Sequence, residues 1–442
     1  MSDECVRLQG WGRTMPSAAR LRQATIDGLG ATLPTSNPRG VLARGLGRSY
    51  NDAAQNGGGE IIKLVEGEIR PPTSQGILEI EAGVTLDALL RFLVPQGWFV
   101  PVTPGTRFVT IGGALACDVH GKNHHVHGGF ADHVYQFEMV LADGSRQLFD
   151  RSSPVFFATV GGMGLTGIIT RVWMQLIRIE SAFMAVQTSL SSSLDETFSL
   201  LDEHDALPYS VAWIDAMAKG SGLGRGVISH GRHAKQAEVA DRSRSVYAPR
   251  QLLNVPDVVQ RNLLANSAVR LFNRAWYQRA AVRARHTFES IAAFFHPLDA
   301  VGNWNRLYGR PGFVQHQMVV PTENRAAIRD ALHAVSSGGH SSFLTVLKRL
   351  GPSSGGLLSF PMPGWTLAVD LPNRGTATAR LLDRLDAIAG DAGGRVYLAK
   401  DSNLTPDRLE GMYAEISNWK KIRDDLDSER MFQSDLARRL HL

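Results

Sequence analysis

Alternating apolar and polar positions over the first 180 residues predict short strands separated by glycine-rich turns. The predicted strands cover residues 40–43, 60–65, 77–82, 98–102, 133–141 and 167–176. Apolar residues at helical spacing predict helices at residues 18–28, 86–94 and 111–118. Strands and helices that follow one another in this way are typical of an α+β fold.

A second pattern begins near Arg178 and predicts another domain. A run of serines, 191–193, opens an amphipathic stretch that ends near residue 204, and serine favours the first position of a helix. Farther on, strands are predicted at residues 210–214, 312–320 and 366–371, and helices at 323–336 and 377–389. This order favours one antiparallel sheet with helices on one face, in a domain that begins at about residue 181.

Residues 232–285 interrupt this second pattern and contain the chain's excess of positive over negative charge. The net charge of the chain is +5, whereas this segment alone has eleven Lys or Arg against three Asp or Glu. Its length favours an insertion that acts as a mobile flap, and its second half has helical spacing with Leu264, Leu271, Phe272 and Trp276 near one side. An anionic ligand, an anionic membrane and a solvated helix face all stay open. Nucleic acid is disfavoured because few aromatic residues accompany the arginines.

Composition excludes several classes of protein. With 442 residues, 43% of them hydrophobic and 20% charged, the chain is expected to form two or three globular domains. Cys5 and Cys117 are too few for a disulfide framework or a four-thiolate zinc site. Because we find neither a signal peptide nor a long apolar run, we expect a cytoplasmic protein or one peripheral at the inner membrane, with the periplasmic face not excluded.

Residues 43–52, Ala-Arg-Gly-Leu-Gly-Arg-Ser-Tyr-Asn-Asp, directly follow a predicted strand. Glycines at alternate positions allow main-chain N–H groups to converge on phosphate oxygens, and Arg44 and Arg48 supply compensating charge. The segment therefore predicts a pyrophosphate site. It is not a P-loop, because no Gly-Lys-Ser/Thr follows.

A second glycine pattern, Gly162, Gly164 and Gly167, has the spacing of a dinucleotide-binding Rossmann loop. The residues that follow it, 168–173, are β-branched and aromatic, and no acidic residue lies about 20 positions later. They predict a strand where a Rossmann loop requires a helix, so a Rossmann domain is disfavoured.

Residues 104–125 predict a further ligand site. Thr110 suits a helix N-cap, and Gly112 and Gly113 would leave the first N–H groups of the helix open to an anion or to the edge of a ring. Five histidines lie between residues 120 and 133, but in a glycine-broken loop with no second thiolate or carboxylate cluster nearby. This arrangement disfavours a metal site.

Four segments together resemble flavoenzymes of the vanillyl-alcohol oxidase type: 44–50, 104–125, 159–167 and the tail Tyr-Leu-Ala-Lys-Asp-Ser at 397–402. More narrowly, they are similar to the branch that oxidises the 2-hydroxyl of decaprenylphosphoryl-β-D-ribose, the first half of an epimerisation that supplies arabinose for cell-wall arabinan. The resemblance runs nearly end to end and is weakest in the first 40 residues and in 232–285. It implies a two-domain flavoprotein in which residues 1–180 and 394–442 form the FAD domain. The antiparallel sheet of residues 181–393 would then cover the flavin.

The resemblance also implies which residues contact FAD. They are Arg44, Gly45, Leu46, Gly47, Arg48, Ser49, Tyr50 and Asn51 at the pyrophosphate, Gly105, Thr110, Gly112 and Gly113, then Cys117, Asp118 and His120 near the ring, with Ile168 and Tyr397. Some relatives carry a histidine at position 48 that binds the flavin covalently. Because arginine cannot form that bond, FAD is expected to be non-covalent here.

On the substrate side, the resemblance implies catalytic roles for Lys400, Tyr50 and His120. It implies substrate contacts by Lys122, Trp213, Gln315, Gln317, Lys348 and Ala368. An ammonium at Lys400 would stabilise negative charge on the reduced flavin and orient the sugar hydroxyl. Either Lys122 or Lys348 would hold the phosphate. A lysine taken alone is more often an exposed surface charge, and Tyr50 and Trp213 would equally suit a core.

One position departs from the family pattern. Well-known members carry cysteine where this chain has Ala368, and nitroaromatic suicide inhibitors capture that thiol. Turnover does not require the thiol, so the resemblance still implies the oxidase activity, whereas covalent inhibition is not expected.

The leading expectation is an FAD-dependent oxidoreductase that acts on a polyprenyl-phosphate sugar, with a partner keto-reductase that uses a nicotinamide cofactor. Two alternatives stay open. One is an alditol or carbohydrate oxidase on a soluble sugar, and the other is a flavin-free phosphosugar- or lipid-binding protein. Bound yellow flavin would separate an enzyme of this kind from the binding protein.

Overall fold

Three β-sheets organise the chain in the computed structural model, which describes residues 4–29, 33, 37–239, 246–282 and 286–442. Two four-stranded sheets come from the first 175 residues, and one eight-stranded sheet comes from the residues after them. The strands pair mostly antiparallel and helices pack against the sheets, so the predicted α+β class is confirmed.

The first sheet contains, in order, β1 (Glu4–Leu8), β2 (Ser17–Ala24), β4 (Glu60–Leu64) and β3 (Val41–Ala43). The helix predicted at residues 18–28 is wrong, because most of this stretch forms β2. Alanine, leucine and arginine favour helices intrinsically. Here β1 and β4 supply main-chain hydrogen-bond partners on both sides of β2, and Ala19 and Leu21 pack in the core at strand spacing.

The second sheet contains, in order, β5 (Ile77–Glu81), β9 (Ile168–Gln175), β7 (Val134–Val140) and β8 (Arg146–Asp150), all antiparallel. The helices of this part are α1 (Leu86–Leu93), α2 (Ile111–Ala116), α3 (His124–His127) and α4 (Pro154–Thr159). A short ladder joins β6 (Trp98–Phe99) to β10 (Ile177–Arg178). The other strands and helices predicted for the first 180 residues are confirmed, although β6 is shorter than expected.

The third sheet is antiparallel throughout. Its order is β15 (His286–Ser290), β11 (Phe183–Ser191), β13 (Gly226–His233), β12 (Tyr209–Ile214), β18 (Thr345–Leu350), β19 (Gly364–Pro372), β17 (Phe313–Pro321) and β20 (Arg395–Val396). It shares one core with α5 (Leu194–Glu203), α8 (Ala326–Ser337) and α9 (Thr376–Asp391). The strands and helices predicted beyond residue 180 are confirmed, and Ser193 caps α5 by accepting the Glu196 N–H. The domain boundary near residue 180 stays a prediction.

The C-terminal residues return to the first two sheets. They form α10 (Pro406–Met412), α11 (Ile416–Leu426) and α12 (Asp435–Leu440). The indole N–H of Trp419 donates to the Ala158 carbonyl at 2.8 Å, and Phe432 pairs with Val41 of β3. This contact brings the segment that follows β20 beside the glycine loop of residues 43–52.

The insertion of residues 232–285 carries a helix, α6 (Asn266–Val282), but its residues 240–245 and 283–285 lie outside the described part of the chain. Buried Asn273 anchors α6 by donating to Asp215 Oδ1 at 2.9 Å and to the Ser342 carbonyl at 3.1 Å. Leu264 precedes the helix instead of lying on its face. The insertion also holds β14 (Leu253–Asn254), which pairs with β16 (Val301–Gly302), and α7 (Ile291–Phe295) follows it. That residues 232–285 act as a mobile flap stays a prediction.

None of the helices in the described ranges is long and apolar enough to cross a membrane.

Candidate functional site

A cavity of about 880 Å³ lies between the eight-stranded sheet and the loops of the first 180 residues. Cavities of this size bind cofactors and drug-sized ligands. Nearly all of the residues singled out from the sequence line it, from the loop 44–50 on one side to Trp213, Gln315, Gln317, Lys348 and Ala368 on the other. Their functional roles stay predictions, but the fold brings them to one place.

The loop that follows β3 closely approaches the start of α2. Gly47 has a φ of +62°, and a Cβ added there would lie 2.0 Å from Arg44 Nη2. A Cβ on Gly45 would lie 2.3 Å from Thr110 Oγ1. The Arg44 guanidinium donates to the Gln9 carbonyl at 2.9 Å, so it shapes the loop from inside. Only glycine fits both positions, and the result is a main-chain cradle beside the first turn of α2.

Arg48 lies between two aromatic rings on the same side of the cavity. Its guanidinium carbon is 3.9 Å from the ring centroid of Trp11 and 5.3 Å from that of Phe108. Burial lowers the pKa of Arg48, and the nearby Asp299 carboxylate opposes this shift. Arg48 therefore supplies a delocalised cation stacked on aromatic faces.

We expect acid precipitation of the purified protein to leave the yellow flavin colour in the supernatant. Arg48 occupies the loop position at which some relatives attach the flavin through histidine, and a guanidinium does not form that link. The measurement is the flavin absorbance of supernatant and washed pellet. Colour that stays in the pellet would contradict the prediction, and peptide mapping would then examine His120 and Cys117, which also line the cavity.

Asn51 is one of three predicted cofactor residues that do not line the cavity. Its side-chain amide donates to the Leu398 carbonyl at 2.7 Å and to the Asp401 carbonyl. The Tyr50 N–H donates to the Ala399 carbonyl at 3.0 Å. Asn51 thus ties the glycine loop to the turn that carries Lys400.

Asp118 and Ile168 are the other two predicted cofactor residues that do not line the cavity. Asp118 adopts a φ of +39°, and its carboxylate accepts hydrogen bonds from Ser354, at 2.6 Å, and from Ser359. Ile168 is buried in a small apolar cluster, and its neighbour Ile169 lines the cavity instead. Both residues lie behind the cavity wall.

His120 is held as a neutral imidazole. Thr366 donates its hydroxyl to the Met318 carbonyl and accepts the Gln317 amide at 3.0 Å, which fixes Gln317 Nε2 as a donor. The same amide nitrogen lies 2.9 Å from His120 Nε2, so that ring nitrogen accepts and Nδ1 carries the proton. Burial, then the charge of Lys348, hold the pKa of His120 well below its ordinary value. Within the described residues, Nδ1–H has no protein partner and remains free to donate to a ligand.

Four lysines line the cavity: Lys63 is exposed, whereas Lys122, Lys348 and Lys400 are partly buried. Lys122 donates to the Phe294 carbonyl and lies 4.1 Å from the centroid of that ring, and Lys348 donates to the Gly121 carbonyl at 3.4 Å. Burial lowers the pKa of Lys122 to about 8. Burial together with the charges of Lys400 and Lys122 lowers the pKa of Lys348 to about 7. An anion bound among these groups would relieve their mutual repulsion.

Lys400 belongs to a polar cluster with Tyr50, Gln315 and Asp370, of which Asp370 does not itself line the cavity. Its Nζ is 5.3 Å from the ring centroid of Tyr50, and Gln315 Nε2 donates to the Tyr50 hydroxyl at 3.3 Å and to Asp370 Oδ1. Burial lowers the pKa of Lys400 and raises that of Asp370, while their mutual attraction opposes both shifts. Asp370 was not predicted as a site residue, although an acidic residue within the apolar run 365–371 indicates a buried carboxylate that needs a polar partner.

Aromatic side chains from both parts of the chain line the cavity and contact one another, and this cluster is here called the mouth. The mouth residues are Trp11, Trp213, Phe272, Trp276, Trp304 and Phe343. Phe272 and Trp276 stack at 6.3 Å on α6, and the Trp213 indole donates to the Phe343 carbonyl at 2.9 Å. The sequence predicted Trp213 here but neither Trp304 nor Phe343.

The five histidines of residues 120–133 bond mainly to the main chain. The Gly351 N–H donates to His124 Nδ1 at 3.0 Å, and His125 and His133 contact the carbonyls of Leu207 and His127. In the part of the chain that the structure describes, no group of three or more His, Cys, Asp or Glu side chains is arranged to hold a metal ion.

The cavity fits FAD on its own geometry. The glycine cradle and the first turn of α2 suit a pyrophosphate. His120 Nδ1, which has no protein partner among the described residues, and the nearby lysines suit the oxygen and nitrogen atoms of a flavin ring and the negative charge that the ring gains on reduction. The Tyr397 hydroxyl donates to the Cys117 carbonyl at 2.7 Å and closes this side.

Comparison with known proteins agrees with this geometry. Residues 32–149 match the FAD binding domain family, and residues 371–440 match the D-arabinono-1,4-lactone oxidase family. FAD is therefore the cofactor of this chain.

Relatives of known sequence extend the comparison over the whole chain. Decaprenylphosphoryl-β-D-ribose oxidase of Mycolicibacterium smegmatis is 39% identical over 99% of this chain and 97% of its own length. An uncharacterised protein of Streptomyces coelicolor is 36% identical over 81% of this chain and 100% of its own length. Alditol oxidase of a Streptomyces species is 26% identical over 35% of this chain and 38% of its own length. The chain therefore belongs to the decaprenylphosphoryl-β-D-ribose oxidase family of FAD-dependent oxidoreductases, which is of the vanillyl-alcohol oxidase type.

Proposed function

We propose that this protein oxidises the 2-hydroxyl of the ribosyl unit in decaprenylphosphoryl-β-D-ribose to the 2-keto product. The observation that carries this proposal is that one cavity is lined by an FAD cradle, a lysine cluster and an aromatic mouth. These three parts correspond to the hydride acceptor, the phosphate and the apolar chain of such a substrate. The relative from Mycolicibacterium smegmatis is named as an oxidase of decaprenylphosphoryl-β-D-ribose.

The polar cluster of Tyr50, Gln315, Asp370 and Lys400 orients the sugar. A hydroxyl that enters this cluster meets the phenol of Tyr50 and the amino group of Lys400. FAD supplies the acceptor for the hydride that leaves the carbon. The hydroxyl proton passes to the Lys400 amine, which its lowered pKa leaves partly unprotonated, and the ammonium so formed compensates the negative charge that arrives with the hydride.

Lys348 and Lys122 hold the phosphate in this proposal. Both side chains border the cavity and both have lowered pKa values, so their charge depends on pH within the range of enzyme assays. An ammonium is a compact donor that suits a phosphate oxygen without a fixed bonding plane.

We expect kcat/KM to fall as the pH rises above about 7, by at most about tenfold per pH unit for one required proton. The sign follows from the lowered pKa of Lys348: below that pKa the ammonium is present, and above it the phosphate loses a charged partner. The measurement is a pH profile of flavin reduction at low substrate concentration. In Lys348→Met the fall should begin at higher pH, because the neighbouring lysines lose a repulsive charge. An identical profile in both proteins would exclude Lys348 as the titrating group.

The aromatic mouth adjoins an apolar and basic outer surface through Phe272 and Trp276, which line the cavity and are 47% and 42% exposed. On α6, Leu271 is 70% exposed and lies beside Phe272 and Trp276, and Leu252 and Val258 in the preceding segment are 73% and 75% exposed. The exposed arginines of the helix are Arg270, Arg274 and Arg279. Apolar residues among cations suit the surface of an anionic lipid bilayer, where the polyprenyl chain of the substrate resides. We therefore infer a peripheral membrane contact through this surface.

Replacing Arg270, Arg274 and Arg279 by Ser is expected to weaken binding to anionic vesicles about a hundredfold. Each basic residue near such a surface contributes about 1 kcal/mol, and the effect should shrink as salt increases. KM should rise for a long-chain substrate and stay unchanged for a short-chain soluble one.

The matched control for this prediction removes three exposed arginines elsewhere, Arg70, Arg380 and Arg384, by the same substitution. Vesicle sedimentation and steady-state kinetics compare the two triple variants. Equal losses with both substrates, or equal vesicle binding by both variants, would contradict a membrane contact at α6.

A partner enzyme completes the reaction in this proposal. The 2-keto product requires a reductase that delivers hydride from a nicotinamide cofactor to the opposite face of the carbon. The product and the substrate share the polyprenyl anchor, so the reductase would act at the same membrane surface.

Turnover of synthetic farnesylphosphoryl ribose with a dye as electron acceptor tests the proposed function. Flavin bleaching by this substrate, together with a keto product by mass spectrometry, is the expected result. Bleaching by a free alditol but not by the phosphoryl ribose would favour the alditol oxidase alternative. A colourless protein that binds the substrate without oxidation would favour the binding protein.

A further inference from the structure

Arg439, near the carboxyl end of the chain, joins two loops that each carry a residue of the site. Its guanidinium donates two hydrogen bonds of 2.9 Å to the two carboxylate oxygens of Asp52 and one of 2.9 Å to Asp401 Oδ2. Asp52 lies two residues after Tyr50, and Asp401 directly follows Lys400. One side chain from α12 therefore spans the Tyr50 loop and the Lys400 turn.

The carboxylates that Arg439 holds are deeply buried. The side chains of Asp52 and Asp401 are 6% and 1% exposed, while that of Arg439 is 24% exposed. Two buried carboxylates so close together repel one another unless a cation lies between them. A planar guanidinium can bond both at once, whereas an ammonium has no such fork.

The same two loops are also joined by the Tyr50 N–H bond to the Ala399 carbonyl and by the bonds that the Asn51 side-chain amide donates to the Leu398 and Asp401 carbonyls. Arg439 also donates to the Leu404 carbonyl at 3.1 Å, which holds the far end of the turn. The side chain of Arg439 does not itself line the cavity. Any effect it has on the reaction therefore passes through the loops.

We propose that Arg439 is a positioning residue that sets the distance between Tyr50 and Lys400 for the oxidation. This inference rests on the proposed function, since it assigns Arg439 an effect through those two side chains. A displacement of about 1 Å between reacting groups can cost a hundredfold in rate, so a clamp of this kind controls the rate of hydride removal more than substrate binding.

We expect Arg439→Ala to lower the limiting rate of flavin reduction about tenfold or more, with the FAD affinity and the substrate KM changed less than about twofold. Arg439→Lys keeps the positive charge but loses the planar guanidinium that bonds both carboxylates. Its limiting rate should therefore lie between those of the unchanged protein and Arg439→Ala. Added guanidinium at millimolar concentration should restore part of the rate of Arg439→Ala and none of that of Arg439→Lys.

Arg438→Ala is the matched control. Arg438 lies next to Arg439 on α12 but bonds to Asp435 and Asn56 instead of the two loops. We expect a near-normal limiting rate in this variant. If Arg439→Ala does not fold, Asp52→Asn removes one arm of the clamp and should lower the same rate severalfold.

The decisive measurement combines Arg439→Ala with Lys400→Ala. If Arg439 acts by positioning Lys400, the second substitution should change the residual rate less than about twofold. The inference alone would be overturned if Arg439→Ala slowed flavin reduction as much in the Lys400→Ala background as in the unchanged protein. It would also be overturned if Arg439→Ala lowered only FAD retention and the unfolding temperature. A normal rate in Lys400→Ala by itself would instead overturn the role of Lys400 in the proposed function.

Discussion

Replacement of Lys400 by alanine is expected to slow flavin reduction about a hundredfold while FAD stays bound. Lys400 borders the cavity beside Tyr50 and lies on the turn that Asn51 and Arg439 fix to the glycine loop. Removal of a positioned charge from a transition state costs about 3 kcal/mol, which corresponds to about a hundredfold in rate. Stopped-flow absorbance of the flavin after mixing with substrate measures this step directly.

The control for this prediction changes the same charge far from the cavity. Lys421 is exposed on α11, and the substrate should reduce the flavin of the Lys421→Ala variant at a normal rate. The flavin-to-protein absorbance ratio should be the same in both variants, because Lys400 lies outside the glycine cradle that holds the pyrophosphate. Near-normal flavin reduction in Lys400→Ala would remove this residue from the mechanism.

Most helices and strands could be predicted from the local sequence, because in most of them the residue pattern and the observed structure agree. In α1, Leu86, Leu89, Leu90 and Leu93 are buried at helical spacing and Thr85 caps the first turn, so pattern and structure agree. β2 is the counterexample. Its residues favour a helix, and only pairing with β1 and with β4, some 40 residues later, makes it a strand. No local window contains that pairing.

The candidate site was less accessible to sequence reasoning, because its centre joins distant segments. The hydrogen bond between the Tyr50 N–H and the Ala399 carbonyl links residues about 350 positions apart, and neither sequence pattern implies the other. The role of Arg439 is hidden for the same reason. Asp370 could have been predicted, since a carboxylate in an apolar strand must be buried with a polar partner, which here is Gln315.

Ala368 marks the place where this chain differs from well-known members of its family. It lies on β19 between Gln317 of β17 and Val346 of β18, and it lines the cavity. A cysteine there would place its thiol in the cavity. Of the two natural thiols, Cys5 is exposed on β1, whereas Cys117 also lines the cavity, where burial raises its pKa to about 11 and keeps it protonated at neutral pH.

Nitrobenzothiazinone-type compounds are therefore expected to bind this protein only reversibly, whereas Ala368→Cys should gain about one inhibitor mass per chain. A methyl group at position 368 offers no nucleophile, and the Cys117 thiol is a poor one while protonated. Intact mass spectrometry after incubation with inhibitor and substrate measures the adduct. The same experiment in a Cys5→Ser background excludes capture by the exposed thiol. An adduct on the protein that retains Ala368 and lacks Cys5 would show that Cys117 is reactive and that position 368 does not decide covalent inhibition.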